Sequence, residues 1–263
     1  MDLKPLFRAD RPLIGMVHLG PLPGSPRFQA DWEETLEIAL ADAKAISDGG
    51  MHGLVIENFN DAPYFPDRVP PATIAAMTEA GRRIRRAVDI PLGINVLRND
   101  ARAALAVAYA AEAAFIRINV FVGARLTDQG LIQATAYEVQ RERRRYLPDL
   151  AIFADVAVKH SSPIGTSSLA NEASDAASRG FADALIVSGG ETGAAASCDD
   201  LTLLKGKVPS LPVLIGSGVT PTNAEALLSS ADGAIIGTGI KREGRTENPV
   251  DVNYVREFVN VLK

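Results

Sequence analysis

The sequence alternates, eight times over, between a short run of aliphatic and β-branched residues and a longer stretch of helical period. The apolar runs are 12–19 (PLIGMVHL), 53–58 (GLVIEN), 91–97 (PLGINVL), 115–121 (FIRINVF), 150–158 (LAIFADVAV), 183–189 (DALIVSG), 212–218 (PVLIGSG) and 233–238 (GAIIGT). Each reads as a strand. The first helix keeps Trp32, Leu36, Ala39, Ala43 and Ile46 on one face, with Asp31 and Glu34 as a capping box and Gly49-Gly50 as its end. Further helices are predicted over 72–88, 100–112, 131–146, 168–179, 199–205, 221–230 and 250–262, with Gly180 after one and Pro221 in the first turn of another. Strict alternation requires parallel strands with crossover helices, and eight such units fit a closed barrel better than an open sheet. The expectation is an α/β fold, one (β/α)8 TIM barrel spanning 1–263 as a single domain.

Composition narrows the partners. Of 263 residues, 47% are hydrophobic and 22% charged, enough apolar material for a core of that size. A net charge of −5 disfavours a grip on nucleic acid or on anionic lipid. Cys198 is the single cysteine, so no internal disulfide and no cysteine zinc site are expected. The start MDLKPLFRAD lacks a signal-peptide apolar region, and the longest apolar stretch, Ala103 to Ala111, is too short to span a bilayer. These features predict a cytoplasmic protein without membrane insertion. The basic run Arg141-Glu142-Arg143-Arg144-Arg145 reads as the solvated face of an outer helix.

Alternate strand residues share a face, and in a barrel the inward, C-terminal positions meet the active site. Parity then sets His18 with Ile14 and Met16, Glu57 with Val55, Asn95 with Gly93, Arg117 with Asn119, and Asp155 with Phe153, Ala157 and Lys159. The opposite faces are apolar, as in Leu54 and Ile56 or Ile116 and Ile118. Taken singly, a buried Arg117 paired to Glu57 or Asp155, or a satisfied core His18, is a purely structural feature. Dehydrating all of these groups at one end of a scaffold costs several kcal/mol per uncompensated ion, so a polar active-site mouth accounts for them better. Their pKa values should be mutually perturbed.

Glycines cluster in the last quarter. Gly216-Ser217-Gly218 after the seventh strand and Gly237-Thr238-Gly239 before a turn ending at Lys241 can aim backbone N–H groups at one phosphate, with Gly189 beside them. Neither a Walker A loop nor a dinucleotide fingerprint occurs, so ATP and NAD are not indicated. Three loops read as covers over a small ligand: Gly20 to Phe28, Phe59 to Pro66, and Gly189 to Gly193.

Gly15-Met16-Val17-His18-Leu19 with Pro21-Leu22-Pro23-Gly24-Ser25-Pro26, then Glu57-Asn58-Phe59 with Asp61-Ala62-Pro63, Asp155-Val156 with Lys159-His160, and the closing Gly216-Ser217-Gly218-Val219 and Gly237-Thr238 with Lys241 together resemble the BtpA/SgcQ family of TIM-barrel proteins. The resemblance spans nearly the whole chain, implies the same fold and marks the same residues. Its functional implication is divided, one branch being associated with photosystem I biogenesis and another with bacterial sugar utilisation.

The residues point to an enzyme acting on a small phosphorylated sugar or sugar-like metabolite, by isomerisation, epimerisation, or carbon–carbon or glycosidic cleavage. Glu57 or Asp155 is the expected general base, His18 the acid or carbonyl polariser, and Arg117 and Asn119, with Asn95, the anion stabilisers. Lys159 either forms a Schiff base or steadies an enolate as a cation. No cofactor is required, but a divalent metal among His18, Glu57 and Asp155, with His160 as a further donor, is a competing arrangement. Homo-oligomers are compatible with all of this. The alternative function is a non-catalytic assembly or stabilising factor of the photosystem I type.

Overall fold

The computed structural model describes residues 2–29, 31–189 and 196–261. All eight expected strands form: β1 (Leu13–His18), β2 (Gly53–Glu57), β3 (Leu92–Asn95), β4 (Phe115–Ile118), β7 (Ala151–Val156), β9 (Ala184–Val187), β10 (Val213–Ile215) and β11 (Gly233–Ile236). They pair in parallel and close in the order β1-β11-β10-β9-β7-β4-β3-β2. This is a (β/α)8 barrel.

Parity sorts the core in two. Ile14, Met16, Val55, Phe115, Phe153, Ile186, Leu214 and Ile235 fill the barrel interior. Leu13, Val17, Leu54, Ile56, Ile94, Ile116 and Ile152 face the outer helices. Phe115 and Phe153 stack at 4.7 Å across the barrel floor. Phe7, on a short helix α1 (Lys4–Phe7) that the sequence reading did not include, meets Phe115 edge-on at 5.6 Å and closes that floor. Gly93 makes room for the stack, because a Cβ there would fall 2.2 Å from the Phe115 ring.

The outer helices are α2 (Trp32–Asp48), α3 (Pro71–Ala87), α4 (Ala101–Ala111), α5 (Ala136–Tyr146), α6 (Leu169–Ser178), α7 (Cys198–Lys207), α8 (Ala224–Leu228) and α9 (Val252–Val261). Asp31 caps α2 by accepting the Glu34 N–H at 2.9 Å. Two expectations fail. The helix expected over 131–146 starts at Ala136, and α8 is only a fragment of 221–230, with Pro221 in the turn before it.

The missing turns of α5 belong to a small antiparallel sheet of β5 (Ala124–Thr127), β6 (Gly130–Gln133) and β8 (Ser161–Pro163), ordered β6-β5-β8. It stands over the C-terminal mouth and is anchored by Arg125, which donates to Glu172 at 2.9 Å and to Ser161 at 2.6 Å. The other carboxylate oxygen of Glu172 accepts the Ala157 N–H at 3.1 Å. Glu172 therefore fixes both ends of the segment that carries Lys159 and His160. Ala157 and His160 both take left-handed backbone angles, φ 48° and 55°, uncommon for residues with a β-carbon.

Candidate active site

Strand register brings the polar residues together. His18 lies opposite Glu57, Glu57 opposite Asn95, and Asn95 opposite Arg117, a continuous row at the C-terminal strand ends. Asp155 stands on β7 beside it. Arg117 donates from Nε to Asp155 Oδ1 at 3.0 Å and from Nη2 to Oδ2 at 3.1 Å, and Asn119 adds a 2.6 Å bond to Oδ2. Asn95 donates to Asn119 Oδ1 and to the Arg117 carbonyl. Asp155 is thus fully occupied from behind. Neither Asp155 nor Asn95 lines the cleft; Asp155 accepts from Arg117 and Asn119, and Asn95 donates to Asn119 and to the Arg117 carbonyl, so both stand behind the residues that do.

The cleft has two chambers that share Glu57, Arg117 and Lys159 as their dividing wall. The first, about 740 Å³ including its open mouth, is bounded by Met16, His18, Gly216, Ser217, Gly218 and the Gly237–Gly239 turn, with Val219, Thr220, Ile235 and Gly244 completing it. The second, about 860 Å³, adds Phe59, Tyr64, Leu97, Arg98, Asn119, Asp128 and His160.

Electrostatics follow from burial. Glu57 is 6% exposed and has no ion pair within 4.0 Å among the described residues, so burial lifts its pKa above 4.5. The Arg117 and Lys159 charges temper that rise, and Asp155 adds to it. Burial, and then the charges of Lys241, Lys159 and Arg117, hold His18 well below 6.5. Its ring lies 4.5 Å from that of Phe59, and its buried Nδ1 has no partner among the described residues. Burial and Arg117 lower the Lys159 ammonium. Burial also opposes the Arg117 charge, but Asp155 and Glu57 more than offset it.

Gly218 adopts φ 72°, a conformation glycine tolerates best. Gly216 is small for a different reason, since a Cβ there would lie 2.4 Å from Ser188 Oγ. At Gly237 a Cβ would point into the cleft, 3.2 Å from His18 Cε1. Thr238 Oγ1 and Thr246 Oγ1 bond at 2.9 Å and brace the turn.

Lys241 is a correction. It was expected at the anion site, but it is 2% exposed and its Nζ bonds Asp42 at 2.7 Å, away from the cleft wall. Gly189 likewise lies outside the wall, and residues 190–193 of the third expected cover lie outside the described residues. The other two covers are tied together: Asp61 accepts the Leu22 N–H, and Asn60 donates to the Leu19 carbonyl at 2.7 Å. The metal arrangement is not assembled either. Among the described residues no three His, Cys, Asp or Glu side chains are grouped to hold an ion. Asp155 is spent on Arg117 and Asn119, and His160 is exposed in the second chamber.

The BtpA family model matches residues 9–263. The chain belongs to the BtpA family. It is 43% identical over its full length to the photosystem I biogenesis protein BtpA of Synechocystis, covering 91% of that protein. An uncharacterized Pyrococcus furiosus protein is 42% identical over 98% of the chain and 97% of its own length. The BtpA-family barrel resembles solved TIM-barrel enzymes at low identity. Phosphoribosylanthranilate isomerase of Pyrococcus furiosus aligns with TM-score 0.60 at 13% identity, covering 95% of this chain and 98% of its own. Thiamine phosphate pyrophosphorylase of the same organism gives 0.58 at 16%, covering 97% and 96%. At such identities the likeness concerns fold.

Sequence reasoning passed over several residues of the BtpA-family cleft, Asp128 and Gly244 among them. Arg98 and Tyr64 lie beyond strand ends, where parity assigns no face, and Thr220 follows the glycine turn. Only the neighbourhood of Tyr64, in a loop already read as a cover, carried a signal.

Proposed function

We propose that this BtpA-family chain is an enzyme that binds a small phosphorylated, sugar-like metabolite and moves a proton at one of its carbons. The observation that carries the reading is Glu57, a buried carboxylate with no ion pair among the described residues, on a wall shared with Arg117 and Lys159 and facing a glycine-built chamber. The Gly216 N–H is taken by the Val187 carbonyl at 2.7 Å, so a phosphate in that chamber would meet backbone N–H groups of Gly218 and of the Gly237–Gly239 turn, which impose no counter-ion of their own.

The reacting carbons then lie under Glu57. As carboxylate it takes a proton from carbon, and the charge that develops on the neighbouring oxygen is met by Lys159 and Arg117. Glu57, now protonated, returns the proton at the adjacent carbon while the hydroxyl proton passes to the oxygen that carried the charge, which completes an isomerisation. A carboxyl raised by burial suits both halves of that cycle. His18, held neutral, donates a hydrogen bond to the oxygen rather than a full charge. Lys159 as a Schiff-base nucleophile supports a lyase reading instead, and its lowered pKa favours the free amine that reading needs. Cys198, exposed and free, fits the reducing cytoplasm expected for such an enzyme. Among the described residues no helix is long and apolar enough to cross a membrane.

A second reading, a non-catalytic assembly factor, draws on the name of the Synechocystis relative, a photosystem I biogenesis protein, and on the exposed Leu126, Leu131 and Ile164 around the small sheet. Thermal melting against a panel of sugar phosphates separates the two. A ligand at 100 times its Kd adds about 2.7 kcal/mol and raises Tm. No shift with any phosphorylated sugar, together with capture of a protein partner through the small sheet, would favour the assembly reading.

A further inference from the structure

Among the described residues, the second chamber holds more positive charge than its surroundings balance. Arg98 is 5% exposed, yet among the described residues its side chain makes one hydrogen bond, from Nη2 to the Lys159 carbonyl at 2.6 Å. Among the described residues no carboxylate lies within ion-pair distance of Arg98 or of the Lys159 ammonium. Three cations, Arg98, Lys159 and Arg117, therefore face two buried carboxylates. One of these, Asp155, is committed to Arg117, and the other, Glu57, is raised towards its neutral form by burial. Asp128 stands at the exposed rim, where water screens it.

Leaving a buried guanidinium uncompensated is costly, and a fork of N–H donors lining a cavity is the arrangement that takes a planar anion. Phe59 and Tyr64 supply apolar walls beside it. The Tyr64 hydroxyl donates to the Phe59 carbonyl at 2.5 Å, so that loop is pinned against the chamber. A purely structural Arg98 would hold the Lys159 carbonyl and face no cavity, whereas this one holds that carbonyl and also lines the second chamber.

We infer that the substrate carries two anionic ends, a phosphate in the glycine chamber and a carboxylate bound by Arg98 and Lys159 in the second, with the reacting carbons between them under Glu57. This rests on the phosphate reading above. It makes the substrate class a phosphorylated, carboxylate-bearing metabolite. A doubly charged ligand spanning both chambers also explains why Glu57, Arg117 and Lys159 form their common wall: the acid–base group and the oxyanion cations belong at the middle of the bound chain.

The test is calorimetric titration of the full chain with ω-phosphonocarboxylates of two to five methylenes, each against the alkyl phosphonate and the alkyl carboxylate of matching length. At one length the phosphonocarboxylate should bind about tenfold or more tightly than its alkyl phosphonate, the lower end of a charge-assisted hydrogen bond. In Arg98→Met that advantage should shrink to about twofold or less, while Arg98→Lys keeps part of it. If Arg98→Met does not fold by thermal melting, Lys159→Met carries the same comparison. Alkyl phosphonate binding with no carboxylate advantage at any length would overturn the second subsite and leave the phosphate reading standing. An undiminished advantage in folded Arg98→Met and Lys159→Met would also overturn it. Carboxylate binding without phosphonate binding would keep the Arg98 subsite and overturn the phosphate reading. Binding of neither would overturn both.

Discussion

Arg117 and Asp155 form a bidentate ion pair, both 2% exposed, at 3.0 and 3.1 Å. That pair divides the two candidate carboxylates by role. Asp155 holds a cation in place, and Glu57 is left as the proposed acid–base group. Asp155→Asn should therefore destabilise the protein by about 3–5 kcal/mol, because it leaves the Arg117 charge buried and unpaired. Glu57→Gln should lower turnover on the true substrate about a hundredfold or more with no comparable loss. Denaturant unfolding and steady-state kinetics on both variants check this. Equal stability in the two would remove the distinction.

Glu57 also makes a pH prediction whose sign is fixed. Its folded pKa lies above the ordinary 4.5, so the fold binds its proton more tightly than the unfolded chain does. Stability from that proton is present below pH 4.5 and is lost as pH rises through the raised value. Glu57→Gln, which never ionises, should melt above the wild type at pH 8, and the two should converge near pH 4. A variant that melts lower at pH 8 would show Glu57 to be a net stabilising charge.

For His18 the shift is downward from 6.5, so the unfolded chain takes up its proton first as pH falls. Stability should drop between pH 6.5 and the depressed folded value. In His18→Phe that part of the loss should vanish. His52, also lowered by burial, is present in both proteins and cancels in the comparison. Parallel pH–Tm curves for the two proteins would contradict a buried neutral His18.

Lys241 is a structural cation. It bonds Asp42 Oδ2 at 2.7 Å, and Asp42 Oδ1 accepts the Val250 N–H at 2.7 Å, which ties α2 to the segment before α9. Lys241→Met should cost about 3–5 kcal/mol by stranding Asp42, yet leave phosphate affinity unchanged in the folded protein. Affinity falling with stability intact would return Lys241 to the ligand site.

Much of this was legible beforehand, and the gaps have physical causes. Eight strands and their inward faces follow from alternation alone, because a one-residue slip would turn Glu57 and Arg117 out against the apolar helices. The small sheet was not legible. Its strands are three or four residues long and carry exposed Leu126 and Leu131, so neither length nor alternation marks them. Lys241 misled because a lysine after a glycine turn looks the same in sequence whether it meets a phosphate or an aspartate nearly 200 residues earlier. Arg98 escaped because the backbone turns away from strand geometry after Asn95.

The most direct test of the central claim is a crystal structure of the chain grown with a sugar phosphate. The phosphate should lie against the backbone N–H groups of Gly218 and the Gly237–Gly239 turn, with sugar carbons beneath Glu57. A Gly237→Ala protein, whose added Cβ would stand 3.2 Å from His18 Cε1, should show that position displaced or empty. Gly218→Val is a poorer control, since φ 72° strains any side chain there with or without ligand. A glycine chamber holding only solvent, with the sugar phosphate bound elsewhere on the barrel, would contradict the account.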